Sequence, residues 1–355
     1  MKKTGIIILV IVLVLLVLGS IAYKLMFTKV GNNNTEIEII IPMGTGKDGI
    51  ANILKENKII RSKLGFKIYV KLHQANNFQA GTYKLRENMT LEELTTILQS
   101  GKMFDPNETK ITYLEGKNIR WLAKKIASIT NNTEDDVFKL IENEEYIDNL
   151  INKYWFIDDI IKNKNIYYSL EGYLFPDTYA IKNKDVTVEE IFEKMLNRTE
   201  DILDDYKAEI KNSKYSVHEI LTIASIIEME SSHVEDRKDV ASVIYNRLKK
   251  GMAIQSDVTT YYAIKVDMGE RDLYQKELDT YNPYNTRGPN MEGKLPVGPI
   301  SSVSKTSIEA AIKPNSTDYL FFVADKTGKV YFSKTVSEHN QIIKDLRTKG
   351  LWFEY

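Results

Sequence analysis

Residues 216–232 read SVHEILTIASIIEMESS, and the fold of the C-terminal half turns on this stretch. Ser216 with Glu219 three residues on is the S/T-x-x-E signature of a helix start. Ile220, Leu221, Ile223, Ala224, Ile226 and Ile227 then make a broad apolar face at helical spacing. At 100° per residue Glu230 projects between the directions of Ile223 and Ile226, and Glu228 between those of Ala224 and Leu221. Both acids therefore flank a buried stripe, where desolvation disfavours the charged carboxylate and raises its pKa. That is the property a general acid needs near neutral pH. The alternative is an acid that is solvated or ion-paired to a neighbour such as Arg237. Glu230 lies nearer the centre of the stripe, but geometry alone leaves both acids open.

Working outward, Asp236–Leu248 carries Val240, Ala241, Val243, Ile244 and Leu248 on one face and reads as a second core helix. Gly251–Asp257 (GMAIQSD) is a polar strand or loop whose Gln255 and Asp257 suit hydrogen bonds to sugar hydroxyls; a plain surface hairpin is the equal alternative. Tyr281–Thr286 (YNPYNT) and Lys294–Ser301 (KLPVGPIS) are loops stiffened by Pro283, Pro296 and Pro299. Tyrosine and asparagine in such loops suit carbohydrate; a structural turn is the alternative for each. Tyr319–Ala324 and Lys329–Ser333 flank a turn at 325–328 and read as a hairpin. A last helix follows, with His339 expected as a structural hydrogen-bond donor.

Composition narrows the chemistry. The 355 residues carry a formal net charge of −1, no cysteine and four histidines. The near-neutral charge argues against nucleic acid as a partner. Without cysteine there are no disulfides, thiolate metal sites or thiol nucleophiles. His73, His218, His233 and His339 lack metal-ligand spacing, so neither metal nor cofactor is expected.

The N-terminal part divides into a tail at 1–4, an uncharged apolar run within 5–24, and a polar linker at 25–36. The run Gly5–Tyr23 is long enough to span a bilayer as one helix. Its apolar core is longer than that of a cleaved leader, and no cleavage site follows. Lysines flank both ends in nearly equal number, so charge only leans toward an exported body. Residues 37–105 read β-α-α-β-α, residues 106–166 form a helical connecting region, and residues 167–355 gather the unusual residues. The fold class is α+β.

FQAGTYKL (78–85), LEGYLFPDTY (170–179), IASIIEMES (223–231), ASVIYNRLKKGMAIQSD (241–257), YNT (284–286), LPVGPIS (295–301), YLFFVAD (319–325) and EHN (338–340) occur in one order along the chain. In these motifs the sequence resembles the endolytic murein transglycosylases of the YceG-like family. Val258, Val297 and Ser301-Ser302-Val303 depart from the family pattern, which has prolines or an Asn-Pro-Gly turn there. The resemblance implies a membrane-anchored lyase with its body outside the cytoplasmic membrane. It implies a LysM-like module at 37–105 and a catalytic domain at 167–355. The implied activity is cleavage of the bond between N-acetylmuramic acid and N-acetylglucosamine inside peptidoglycan strands, without water. Glu230 falls on the family's catalytic position. Glu228, Gln255, Asp257, Tyr284, Asn285 and Thr286 would bind the glycan, and the cell-wall synthesis machinery is an expected partner. The rival expectations are a muramidase-type hydrolase using Glu230 with Glu228 or Asp257, and a non-catalytic wall-binding scaffold.

Overall fold

The computed structural model describes residues 2–101 and 109–352, with side chains from Leu13 onward. Most of the tail at 1–4, the first part of the apolar span (5–12) and the end of the first module (102–105) thus fall wholly or in their side chains outside the described residues. The chain forms two compact units, Met1–Glu108 and Thr109–Tyr355.

The first unit contains α1 (Lys2–Phe27), β1 (Ile37–Ile41), α2 (Lys47–Glu56), α3 (Lys63–Leu72), β2 (Gly81–Leu85) and α4 (Leu91–Ser100). After α1, the order is the β-α-α-β-α read from the sequence. β1 and β2 pair antiparallel with Ile39 opposite Tyr83, and their inward residues join Leu54, Phe66, Leu94 and Leu98 in one core. Thr90 and Glu93 close the capping box of α4, and Gly101 ends that helix at φ 66°, a left-handed conformation that favours glycine. Among the described residues no helix is long and apolar enough to cross a membrane.

The second unit contains β3 (Thr109–Thr112), α5 (Ile119–Ile129), α6 (Glu134–Glu142), α7 (Glu144–Lys153), β4 (Thr178–Ile181), α8 (Val188–Asp204), α9 (Lys207–Asn212), α10 (Val217–Glu230), α11 (Arg237–Lys249), α12 (Asp257–Ala263), α13 (Gln275–Leu278), α14 (Lys305–Ile312), β5 (Phe321–Ala324), β6 (Val330–Ser333) and α15 (Val336–Thr348). The mixed α+β class holds. The division at 166/167 has no counterpart in the packing: β3 pairs with β4, and Leu122, Ile126 and Val137 share a core with Ile223, Ile226 and Ala241. Residues 109–166 are thus part of the same body, because their apolar residues share one core with the later helices.

α10 runs through the middle of this core, with every residue from Ile220 to Ile227 buried. The segment 170–179 organises its surroundings. Glu171, 2% exposed, accepts the backbone N–H of Ile119 at the start of α5 and the Tyr262 hydroxyl of α12. Burial pushes its carboxyl up to about 7. Gly172 sits at φ 79°, and a Cβ there would lie 2.4 Å from Pro299 Cβ, so only glycine lets the two segments approach. Tyr173 bonds His218 Nδ1, whose Nε2 donates to the Val297 carbonyl.

Candidate active site

The two acids of α10 have different fates. They lie two residues apart, so they project about 200° apart around the helix. Glu228 is buried in an ion pair with Arg237 at 3.0 Å, their side chains only 5% and 8% exposed. Its second oxygen accepts the Ser304 backbone N–H at 2.9 Å and the Ser304 hydroxyl, at the N-terminus of α14. Arg237 is the ion-pair partner named from the sequence, but it takes Glu228. The substrate-binding role expected of Glu228 is therefore corrected: its carboxylate is buried and bonded to Arg237 and Ser304.

Glu230 instead opens into a cavity of about 300 Å³. α10 supplies Ile226 and Glu230, α11 supplies Val243, Ile244 and Arg247, and residues 254–257 form the rim. β5, Arg287, His339 of α15 and Trp352 complete the lining. Glu230 is half-buried. Burial holds its carboxyl above the usual carboxylate range and nearby Asp257 adds to the rise, while the Ser256 hydroxyl and Arg287 oppose it. Ser256 Oγ donates to Glu230 Oε1 at 2.5 Å. Two larger hollows on this unit, of about 470 and 810 Å³, are lined by acids that are exposed or tied up in a helix cap, such as Glu142, Asp148 and Glu219.

The 251–257 segment is a loop whose last residue begins α12. Gln255 has φ 57°, a strained conformation for a residue with a Cβ, so the surroundings must hold it there. Arg247 does so: its guanidinium donates to the carbonyls of Ala253, Ile254 and Leu320 and to Gln255 Oε1. The Gln255 N–H donates to the Thr286 carbonyl at 3.2 Å. Asp257 lines the cavity and is ion-paired with Arg287.

Glu230, Gln255 and Asp257 are thus brought together. Tyr284, Asn285 and Thr286 are not glycan contacts, since they are 0%, 1% and 0% exposed. Tyr284 Oη accepts the Tyr167 N–H, and Asn285 Nδ2 donates to three carbonyls, those of Glu277, Leu278 and Thr280. Thr286 Oγ1 accepts the Ser256 N–H at 3.0 Å. Their role is to fix the loop that aims Ser256 at Glu230. Ser256, Arg247 and Arg287 escaped the sequence reading, although Arg247 and Ser256 lie inside motifs quoted above, and His339, expected as a structural hydrogen-bond donor, instead lines the cavity with its buried Nδ1 unbonded among the described residues. The family departures are structural too: Val258 is buried, and Ser302 bonds the backbone of Lys117 and Leu114.

Known proteins resemble this chain over most of its length. The profile of the YceG-like family matches residues 39–345. The endolytic murein transglycosylase of Bacillus subtilis (strain 168) is 41% identical over 313 residues, 87% of this chain and 84% of that protein. The endolytic murein transglycosylase of Streptococcus pneumoniae serotype 2 is 31% identical over 331 residues, 88% of this chain and 59% of the relative's length. The crystal structure of a yceG-like protein from Listeria monocytogenes aligns with a TM-score of 0.62 at 38% identity, covering 87% of this chain and all of that one. With the family profile spanning most of its length, this chain belongs to the YceG-like family.

Proposed function

We propose that the protein is an endolytic peptidoglycan lytic transglycosylase in which Glu230 serves as acid and then as base. The observation that carries this reading is one half-buried, protonation-prone carboxyl opening into a cavity where, among the described residues, the other acid in the lining, Asp257, is ion-paired. Glu228 is locked to Arg237, and Asp257 is paired with Arg287. Protonated Glu230 gives its proton to the glycosidic oxygen as the bond to C1 of N-acetylmuramic acid breaks. The sugar's own C6 hydroxyl then attacks C1, and the carboxylate takes the hydroxyl proton. A 1,6-anhydro end forms, the other fragment leaves with a free hydroxyl, and no water is consumed. A hydrolase with paired carboxylates needs a second acid free to activate water. Digestion of purified glycan strands by wild type and Glu230→Gln tests the reading. Wild type should release anhydro ends, each lighter by one water than a reducing end, and the variant none. Reducing ends from wild type would instead assign hydrolysis, with Asp257 as the remaining candidate base.

The same reading places the protein in the cytoplasmic membrane as a single-pass chain with its body outside. What supports this is the uncharged run Gly5–Tyr23 and the 26 residues of α1, about 39 Å at ~1.5 Å each. Leu15, Leu16 and Leu25 on that helix are exposed. The first unit would then act as a LysM-like wall-binding module beside the cell-wall synthesis machinery. The chain lacks cysteine, so Lys2→Cys and Lys334→Cys can be compared with an impermeant thiol reagent on intact cells. Labelling at 334 alone is expected; labelling at 2 alone would reverse the orientation.

A further inference from the structure

His339 stands on the wall of the cavity formed by the C-terminal hairpin and α15, and it enters none of the steps above. It lines the same cavity as Glu230. Its Nδ1 is buried with no hydrogen-bond partner, and neither ring nitrogen is bonded to protein among the described residues. A histidine kept only for structure uses at least one nitrogen, as His218 uses both. The ring is nevertheless held in place. It packs on Phe321 with centroids 5.5 Å apart, and the Arg247 guanidinium lies 5.0 Å from the same Phe321 ring. Burial and the Arg247 cation both favour the neutral imidazole, which offers one N–H donor and one acceptor. An ordered ring without a partner, in a cavity with a general acid, is a polar group awaiting a ligand.

From this juxtaposition we infer that His339 is a substrate-binding residue, its imidazole hydrogen-bonding a hydroxyl or acetamido group of the glycan held against Glu230. The inference rests on the transglycosylase reading and deepens it by placing part of the sugar-binding surface on α15. Binding follows from a single neutral hydrogen bond, so its loss should weaken affinity about tenfold.

The test uses the full-length protein in detergent, with peptide-free glycan strands as the probe. In a Glu230→Gln background, which binds without turnover, strand affinity is followed by the fluorescence of Trp352, which lines the cavity. His339→Phe keeps a ring against Phe321 but removes both nitrogens, and should weaken binding about tenfold. His339→Gln restores a donor and an acceptor and should recover much of the loss. In the active background His339→Phe should raise KM more than it lowers kcat. Equal affinity for the Phe variant and its parent overturns the inference while leaving the transglycosylase reading intact. If His339→Phe fails to fold, parental affinity for His339→Gln together with a shift of its side-chain amide resonances on adding strands supports the contact. The absence of that shift overturns it. Wild type that cleaves no strand removes the reading and the inference together.

Discussion

Ser256 and Glu230, from a loop and a helix 26 residues apart, meet at 2.5 Å through a hydroxyl that donates to the carboxylate. The serine is itself fixed, because its backbone N–H donates to Thr286 Oγ1 and its carbonyl accepts from Thr259 Oγ1. A donor to a carboxylate favours the ionised form, so Ser256 opposes the rise that burial imposes on Glu230.

Removing that donor should move the acid further from its usual range. In Ser256→Ala the alkaline limb of the pH–rate profile is expected to shift to higher pH, because Glu230 stays protonated longer. The resulting carboxylate is also poorly aimed, so kcat should fall about tenfold. A profile superimposable on wild type would show that the contact plays no part in catalysis.

Two glutamates on one helix should respond in opposite ways. Glu228→Ala leaves Arg237 buried without its counter-charge and should destabilise the second unit by about 3–5 kcal/mol, seen as a lower thermal midpoint. Glu230→Gln removes no ion pair and should match wild type in stability at low pH, where both carry an uncharged side chain, while losing cleavage. Since the native pKa of Glu230 is raised, ionising it costs the folded state, and the variant should gain on wild type as pH rises.

Glu171 offers a separate pH signature. With its folded pKa raised to about 7, the native state holds a proton that the unfolded chain has already lost. Stability therefore declines as pH rises from the ordinary carboxylate range to about 7, then levels off. The shift corresponds to about 3 kcal/mol. Glu171→Gln retains an oxygen for the Ile119 N–H and carries no charge, so the stability difference from wild type should widen across that window. Parallel unfolding curves at every pH would rule out an ionisable Glu171 of this kind.

Tyr284→Phe separates a structural tyrosine from a sugar platform. Its hydroxyl accepts the Tyr167 N–H at 3.2 Å and the ring has no exposed surface. Loss of the hydroxyl should cost about 1 kcal/mol of stability and leave KM unchanged. A KM that rose severalfold with unaltered stability would return Tyr284 to the substrate surface.

Local signals were legible where one residue's chemistry decides the backbone. The Ser216–Glu219 box and the 319–333 hairpin both follow from cap chemistry and periodicity. Glu230 was legible as one of two acids, and helical phase alone could not say which would be paired. That choice depends on Arg237 and Ser304, the latter 76 residues away. The loop at 284–286 misled because tyrosine and asparagine serve equally to bind sugars and to satisfy buried carbonyls, and only burial separates the uses. Arg247 and His339 act through contacts with β5, a tertiary relationship with no periodic trace.

The opposed fates of Glu228 and Glu230 leave no slack in the length of α10. Its start is pinned by Ser216 and its flank by the ion pair, so inserting or deleting one residue between them would rotate the terminal carboxyl by about 100°. The proton donor would then point into packed protein while a neighbour faced the groove. Homologues that share this chemistry should therefore vary freely in the loops that follow while keeping the count from cap to acid constant.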